Sequence, residues 1–263
     1  MQMRVAERIK GWEVPRGSVA IWWLGQNSYL LQGPSTVIMV DPYFSRPGPR
    51  EKYVHEEAPL RADEIGPEAV FCTHNHSDHT DPDFLSALSQ HWPAARFYGP
   101  AESAEAMRGA GIPGDRVTPV QAGDVVRSGE VSALALLSKT PQVSDVAHYG
   151  YVLQIAGAPK VYDTGDIMRG VTREPSLMDP LRATAPEVAL VTTSPTEVEF
   201  PDFSEAAALA REIGARVVIP AHYGCFARRT FDPARFAAQV GGGGALRPVI
   251  IPYCDVYQHP PAA

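Results

Sequence analysis

Six consecutive positions, His74-Asn75-His76-Ser77-Asp78-His79, constrain this chain more than any other stretch. Three imidazoles and one carboxylate set that close together form a donor set for borderline and hard divalent ions such as Zn²⁺, Mn²⁺ and Fe²⁺. The residues just before, Ala69 to Cys72, read as a short apolar strand. Just after, Asp81-Pro82 reads as a helix cap followed by proline at the first helical position. The run therefore lies on a loop between a buried strand and a helix, where rigid elements can aim several side chains at one point. In extended backbone His74 and His76 point to the same side. That pair can grip one ion while Asp78 and His79, past the bend, face a second. Three of the eight histidines of the chain fall here, which argues against a polar loop that is histidine-rich by chance.

The flanking segments alternate in character. Val19 to Trp23, Ser28 to Gln32 and Thr36 to Val40 are short apolar or alternating runs broken by Gly25 and by Gly33-Pro34, and they predict consecutive antiparallel strands. Asp41-Pro42-Tyr43 ends the third. From Tyr43 to Pro67 the chain is rich in Pro, Arg and Glu without a sustained period. A connection of that length is usually functional, which predicts a lid or substrate wall. Helical character returns over Asp83 to His91 and Ala101 to Ala110, with a strand at Arg96 to Tyr98 between them. Further strands are predicted at Arg116 to Val120, Val125-Val126, Val131 to Leu137, Tyr149 to Ile155 and Lys160 to Tyr162. In the last third, Val188 to Thr192, Arg216 to Ile219 and Val249 to Ile251 read as strands. Ser204 reads as the cap of a helix over Glu205 to Ile213 that Gly214 closes, and Gly241 to Gly244 reads as a flexible loop. Each half opens with strands and then alternates strand and helix, a weak internal two-fold. Strand-rich segments with interleaved helices suggest two sheets packed face to face with helices outside.

With 263 residues and 44% hydrophobic content, the chain has the make-up of an ordinary globular protein. Its 23 basic and 30 acidic side chains leave a formal charge of −7, which argues against a general nucleic-acid binder. No apolar stretch approaches the roughly 20 residues of a membrane span, and Met1 to Val5 lacks the apolar core of a signal peptide. Three cysteines without paired spacing make a disulfide framework improbable and fit a reducing cytoplasm. Cys72 and Cys225 lie close in sequence to the histidines, and both are expected to be small buried thiols.

Two more segments carry donor residues. Tyr162-Asp163-Thr164-Gly165-Asp166 sets a carboxylate just past a strand, after a glycine that lets the backbone turn sharply. Asp166 is either an ordinary turn aspartate or a ligand able to bridge two ions. Val218-Ile219-Pro220-Ala221-His222 sets an imidazole at the end of another buried strand. Asp41, also at a strand end, is read either as an orienting partner for a histidine through its free ring nitrogen or as a structural turn residue.

The HxHxDH run, the strand-end Asp166 and the strand-end His222, in this order, resemble the metallo-β-lactamase superfamily. Trp22-Trp23-Leu24-Gly25-Gln26-Asn27-Ser28, Val40-Asp41-Pro42, Ala122-Gly123-Asp124-Val125-Val126, Tyr162 to Asp166 and Val218 to Tyr223 are similar to its L-ascorbate-6-phosphate lactonase branch. The resemblance implies an α/β fold: an αββα sandwich of two mixed β-sheets with outer helices, the metal site on one edge between the sheets. It implies one hydrolase domain over residues 1–263. Most members of the superfamily carry a further ligand histidine between the two motifs. Here the corresponding stretch, Leu136 to Gln142, has none, and His148 follows a few residues later. It either takes that role through a shift in register or opens the next strand.

The ligand set implied is His74 and His76 for a first ion, with His148 as a candidate third. Asp78, His79 and His222 hold a second, and Asp166 lies between. The cofactors expected are one or two divalent ions, Zn²⁺ or Mn²⁺ with Fe²⁺ also compatible. A first site short of a histidine shifts preference toward Mn²⁺. Such ions lower the pKa of bound water and polarise a carbonyl or phosphoryl oxygen. Asp78 is alternatively a general base. Arg228 and Arg229, following His222, and Arg169 and Arg173, following Asp166, are candidates for holding an anionic group through forked hydrogen bonds. The leading expectation is a hydrolase opening a lactone or ester-like bond in a small polar or anionic metabolite. It has no membrane or nucleic-acid partner, and a homo-oligomer stays open. A phosphodiesterase or nuclease of the same fold, and a non-catalytic metal-binding member, are the alternatives.

Overall fold

The computed structural model describes residues 3–241 and 244–260, so Gly242 and Gly243 of the expected glycine loop lie outside the described residues. The first sheet is built from β1 (Val19–Trp23), β2 (Tyr29–Gln32), β3 (Val37–Val40), β4 (Ala69–Phe71), β5 (Arg96–Gly99) and β6 (Val117–Pro119). The second holds β7 (Val125–Ser128), β8 (Val131–Leu137), β9 (Tyr149–Ile155), β10 (Val161–Asp163), β11 (Val188–Thr192), β12 (Val217–Ala221) and β13 (Arg247–Pro248). The last strand, β14 (Asp255–His259), returns to the first sheet and pairs antiparallel with β1. The spatial orders are β14-β1-β2-β3-β4-β5-β6 and β13-β12-β11-β10-β9-β8-β7. In each sheet the hairpin-linked strands are antiparallel and the helix-linked ones parallel, so both sheets are mixed.

Alternation along each strand divides the apolar side chains into three layers. Val19, Ile21 and Trp23 of β1 face the interior between the sheets, together with Leu153, Leu190 and Ile219 from the second sheet. Trp22 points the other way, into a layer with Leu85 and Leu88 of α2 (Pro82–His91) and Met107 of α3 (Ala101–Gly109). On the far side, Ala189 and Val218 pack against α4 (Pro175–Arg182), α5 (Phe203–Glu212) and α6 (Pro233–Val240). Because strands such as β1 and β11 are buried on both faces, they read as continuous apolar runs. Helix, sheet, sheet, helix is the αββα sandwich expected. No helix among the described residues is long and apolar enough to cross a membrane.

Several local expectations are corrected. Val249 to Ile251 is not a strand; the pairing there is confined to Arg247–Pro248. The closing strand β14 lies further on, in a segment without a strong apolar alternation. The fifth helix starts two residues earlier than expected, capped by Asp202 in a capping box with Glu205 rather than by Ser204. A short helix, α1 (Val5–Gly11), together with α4 and α6, has no counterpart in the sequence reading, because each is only 7 or 8 residues long and shows little more than two turns of period.

Candidate metal centre

Parallel strands carry their carboxyl ends to one edge of a sheet, and the same edge of both sheets collects the candidate residues. Asp41 follows β3, the histidine run follows β4, Asp166 follows β10 and His222 follows β12. β9 runs antiparallel to β10, so His148, just before its start, reaches the same edge. The turn between β1 and β2 also lies there, and a bridge between Gln26 and Tyr223 ties the two sheets together beside the site. Gln26, Asp41 and His222 all adopt left-handed backbone, at φ 54°, 43° and 66°. Non-glycine residues held so at one site are strained, and the surrounding structure must impose the conformation. Gly165 is left-handed too, and a Cβ there would lie 2.6 Å from the Tyr149 carbonyl and 2.8 Å from Thr73, so only glycine lets the Asp166 loop approach the histidine loop.

Three groups of donors result, each with its ligand atoms within 4.8 Å of one another: His74, His76 and His148; His74, His79 and Asp166; and Asp78, His79 and His222. Asp166 links them. Its Oδ2 is 3.6 Å from His74 Nε2, while its Oδ1 is 3.4 Å from His79 Nε2 and 3.3 Å from His222 Nε2. His76 turns Nδ1 toward His74 Nε2, at 2.9 Å, and Nε2 outward to Asp145. His148 stacks on His74 with ring centres 3.9 Å apart. The Ser138 amide donates to the His148 carbonyl across the β8–β9 hairpin, so the imidazole stands opposite the stretch where the resemblance expects a histidine and finds none.

Buried polar atoms normally find partners, yet His79 Nε2, Asp166 Oδ1 and both ring nitrogens of His148 are buried without a hydrogen bond. All four lie where the donor groups converge. Unpartnered atoms of that kind, on imidazole and carboxylate, fit a divalent cation that would take the place of any proton they carry.

Asp41 is fully buried behind the site. Its Oδ1 accepts from the Thr73 amide at 2.7 Å; its Oδ2 accepts from Thr73 Oγ1 at 2.7 Å and Asn27 Nδ2 at 2.8 Å, and faces His79 Nδ1 at 2.6 Å. With Nδ1–H held by Asp41, Nε2 is the atom that would give up its proton to an ion, the arrangement expected of an orienting carboxylate. Burial works against charge on His79, but Asp166, Asp41 and Asp78 outweigh it and lift the imidazole to about 10. Burial likewise opposes ionisation of Asp166, and His222 and His79 hold it down to about 2. Burial and then the Lys139 charge push His148 down to about 3, so at neutral pH the uncharged ring keeps one nitrogen lone pair free. Burial and then Asp41 raise Asp163, whose Oδ1 shares the Asn27 amide with Asp41.

Gln26, Asn27, Asp163, Lys139 and Asp145 were not singled out from the sequence as site residues. Gln26 Nε2 donates to Asp78 Oδ2 at 2.9 Å and lies 2.9 Å from His222 Nε2. The signal for Gln26-Asn27 was a polar pair in the turn after a wholly apolar strand. Cys72 and Cys225 are buried and outside the three donor groups, as expected of structural thiols.

Asp78 also forms part of a cleft of about 560 Å³ lined by Pro49, Glu51, Lys52, Ser77, Phe226, Arg228 and Arg229. Its outer wall comes from the Tyr43 to Pro67 connection. That segment is fastened to the His222 loop through Val54 N to Cys225 O at 2.8 Å and Ala227 N to Lys52 O at 2.9 Å. Tyr43, Tyr53, Cys225 and Phe226 form a small apolar cluster of their own beneath it. Arg229 also pairs with Glu197. Arg169 and Arg173 are elsewhere, on Asp202 and Glu205 at the start of α5, and do not line this cleft.

The profile of the beta-lactamase superfamily domain matches residues 36–223. The chain belongs to that superfamily. Within it, a metal-dependent hydrolase of Myxococcus xanthus is 28% identical over 224 residues, covering 80% of this chain and 72% of that one. A metal-dependent hydrolase of Symbiobacterium thermophilum is 25% identical, covering 90% and 98%. Among solved structures, a metallo hydrolase of the archaeon Ignicoccus hospitalis superposes with a TM-score of 0.69 at 18% identity, covering 92% and 98%. An isothiocyanate hydrolase from Delia radicum gut bacteria gives 0.69 at 13% identity, covering 90% and 98%. At those identities the structural matches speak for the fold. The donor groups and the relatives together fit metal-dependent hydrolysis.

Proposed function

We propose that this protein is a metal-dependent hydrolase, acting as one domain, that opens a lactone or ester-like bond in a small anionic metabolite. The observation that carries the reading is Asp166, whose two oxygens face two different histidine groups beside a cleft lined by Asp78, Arg228 and Arg229. His74, His76 and His148 would hold one divalent ion and Asp78, His79 and His222 the other, with Asp166 between. Zn²⁺ and Mn²⁺ both suit such nitrogen and oxygen donors, and Fe²⁺ is compatible. When bound, ions there supply a water of lowered pKa and a Lewis acid for the substrate carbonyl.

The chain's own side chains supply the remaining functions. Burial opposes charge on Asp78, but His79 and His222 keep it ionised, and Gln26 holds one of its oxygens. If a single ion binds and Asp78 is not a ligand, its ionised carboxylate at the cleft wall is instead suited to receive a proton from water as general base. Arg228 and Arg229 offer forked donors for an anionic group. Asp41 holds His79 in the tautomer that frees Nε2. The lactone preference comes from the likeness to the ascorbate-phosphate lactonase branch; a reducing cytoplasm and a diffusible substrate complete the reading.

The test is the metal content of protein purified without chelator, followed by turnover of p-nitrophenyl acetate, a simple lactone and bis-p-nitrophenyl phosphate. The reading expects one to two ions per chain and turnover of the lactone or ester. Turnover of the phosphodiester alone would replace it with the nuclease alternative. Full metal with no turnover of any of the three would favour a binding protein.

A further inference from the structure

Gln26 lies in the turn between β1 and β2 and is only 1% exposed. Its backbone is held on three sides. The amide donates to the Tyr223 carbonyl at 2.8 Å, and the carbonyl accepts from the His222 amide at 3.1 Å and from the Trp23 indole at 3.1 Å. That clamp keeps the residue in left-handed backbone, at φ 54°, which is strained for a non-glycine residue. The strained backbone aims the side chain at one point. Its amide nitrogen is 2.9 Å from Asp78 Oδ2 and 2.9 Å from His222 Nε2, two of the three donors of the Asp78, His79 and His222 group. The other end of the same amide, Oε1, is buried and accepts no hydrogen bond.

With no ion bound, the two N–H groups of the amide answer the lone pairs of Asp78 and His222. An ion held by that group takes the same lone pairs. The NH₂ would then lose both acceptors and turn its N–H dipoles toward a cation. The clamped backbone and the burial obstruct withdrawal of the side chain. Rotation about the last torsion needs neither to give way, because it exchanges two ends of nearly equal size and brings the unpartnered oxygen to the place of the nitrogen. The spacing there suits a ligand. Donors bound at right angles, each about 2.1 Å from an ion, lie about 3.0 Å apart, close to the 2.9 Å that separates the amide from Asp78 and His222. Asp166 Oδ1, 3.3 Å from His222 Nε2 and 3.4 Å from His79 Nε2, borders the same point.

We propose that Gln26 is a further metal ligand, whose side-chain oxygen turns onto the ion held by Asp78, His79 and His222. The inference rests on the metal centre of the reading above and not on its substrate. An amide carbonyl is a hard, neutral donor. It raises the oxygen share of this group and shifts its preference toward Mn²⁺ and Fe²⁺ relative to Zn²⁺.

The experiment compares wild type, Gln26→Met and Gln26→Glu, each chelated and reloaded, with circular dichroism and thermal midpoint measured first. Titration with Co²⁺ reads the ions bound per chain, their affinities and the visible band, which is strong for four-coordinate cobalt and weak for five or six ligands. Calorimetry with Mn²⁺ and Zn²⁺ reads the preference. Gln26→Met keeps an unbranched side chain of similar length without the oxygen. It is expected to bind the ion of the Asp78 group about tenfold to a hundredfold more weakly, at least what lost orienting partners cost. Its cobalt band should intensify, and it should lose more affinity for Mn²⁺ than for Zn²⁺. Gln26→Glu carries an oxygen at either end. It is expected to bind metal at least as tightly as wild type, and to gain more thermal stability from the ion, which relieves its repulsion with Asp78. Gln26→Glu decides the question even where Gln26→Met does not fold: a residue that only donates N–H to Asp78 would leave Gln26→Glu with weakened metal binding, and that result would overturn the proposal. Unchanged affinity and an unchanged band in Gln26→Met would overturn it too, leaving the metal centre in place. So would one ion per wild-type chain and two per Gln26→Met chain, since the amide would then stand where the ion would sit. Binding of no ion by wild type would overturn the ligand and the metal centre together. Turnover enters none of these measurements, so absence of ester hydrolysis with the expected metal binding removes the hydrolase reading alone and the ligand stands.

Discussion

Replacing Asp41 by asparagine isolates the electrostatic part of the site from its backbone. Asp41 sits at φ 43°, a left-handed conformation that asparagine tolerates at least as well, so strain does not confound the variant. What changes is one oxygen. The carboxylate serves four donors at 2.6–2.8 Å: the Thr73 amide, the Thr73 hydroxyl, the Asn27 amide and His79 Nδ1. An amide oxygen can keep the Thr73 amide. The new NH₂ then faces the other three, of which the Thr73 hydroxyl can rotate to accept but the Asn27 NH₂ cannot. His79 can accept only by moving its proton to Nε2, the atom that converges on Asp166 and His222. Two lost charge-assisted bonds at about 1.5–3 kcal/mol each predict a cost of roughly 3–6 kcal/mol in the metal-free protein, close to the penalty of breaking a buried charge pair. The misplaced proton should weaken metal binding by about tenfold to a hundredfold, as other lost orienting partners do. Denaturant unfolding of the metal-free protein and a competitive metal titration read the two effects. A variant within about 0.5 kcal/mol of wild type, with unchanged metal affinity, would refute the role given to Asp41.

Further expectations follow from the same geometry. His148→Ala should lower metal content about as much as His76→Ala does; retention of full metal, with only a modest drop in thermal stability, would return His148 to a strand-opening role. Arg228→Met with Arg229→Met should weaken an anionic substrate roughly tenfold to a hundredfold more than a neutral ester, and equal small effects in the presence of salt would mark the two arginines as solvated. The metal-free protein should lose stability on both sides of neutrality. His148, whose folded value is lowered to about 3, gives stabilisation that is complete above its ordinary value and fades as the pH falls toward 3. His79, raised to about 10, gives stabilisation that is complete below its ordinary value and fades as the pH rises through 10. Unfolding free energy measured against pH after chelation checks both signs, and a profile flat over both windows would contradict them. Gly165→Ala should cost several times the usual glycine-to-alanine change, since its Cβ would meet backbone at 2.6 Å; a variant as stable as wild type by denaturant unfolding would contradict that close approach.

Much of this protein was legible one segment at a time. The histidine run, the strand before it and the Asp81-Pro82 helix start are local signals, set by periodicity and turn chemistry within about a dozen residues, and they appear as expected in β4 and α2. Strand ends at Asp41, Asp166 and His222 were visible for the same reason. The tertiary structure decided what no local window contains. β14 closes the first sheet against β1, pairing Val19 with His259, and its own sequence scarcely alternates, because sheet closure rather than local preference makes it a strand. That His148 lies beside His74 depended on the β8–β9 register, since a slip of one residue turns every side chain to the other face. Asp41 could not be told from a turn residue until Thr73, Asn27 and His79 converged on it from three separate segments. Lys139 carries no motif at all; only the tertiary structure buries it over the Phe200 ring with Glu199 as its ion pair. Residue chemistry is written along the chain, but which charges must share a low-dielectric space is settled only when the two sheets meet.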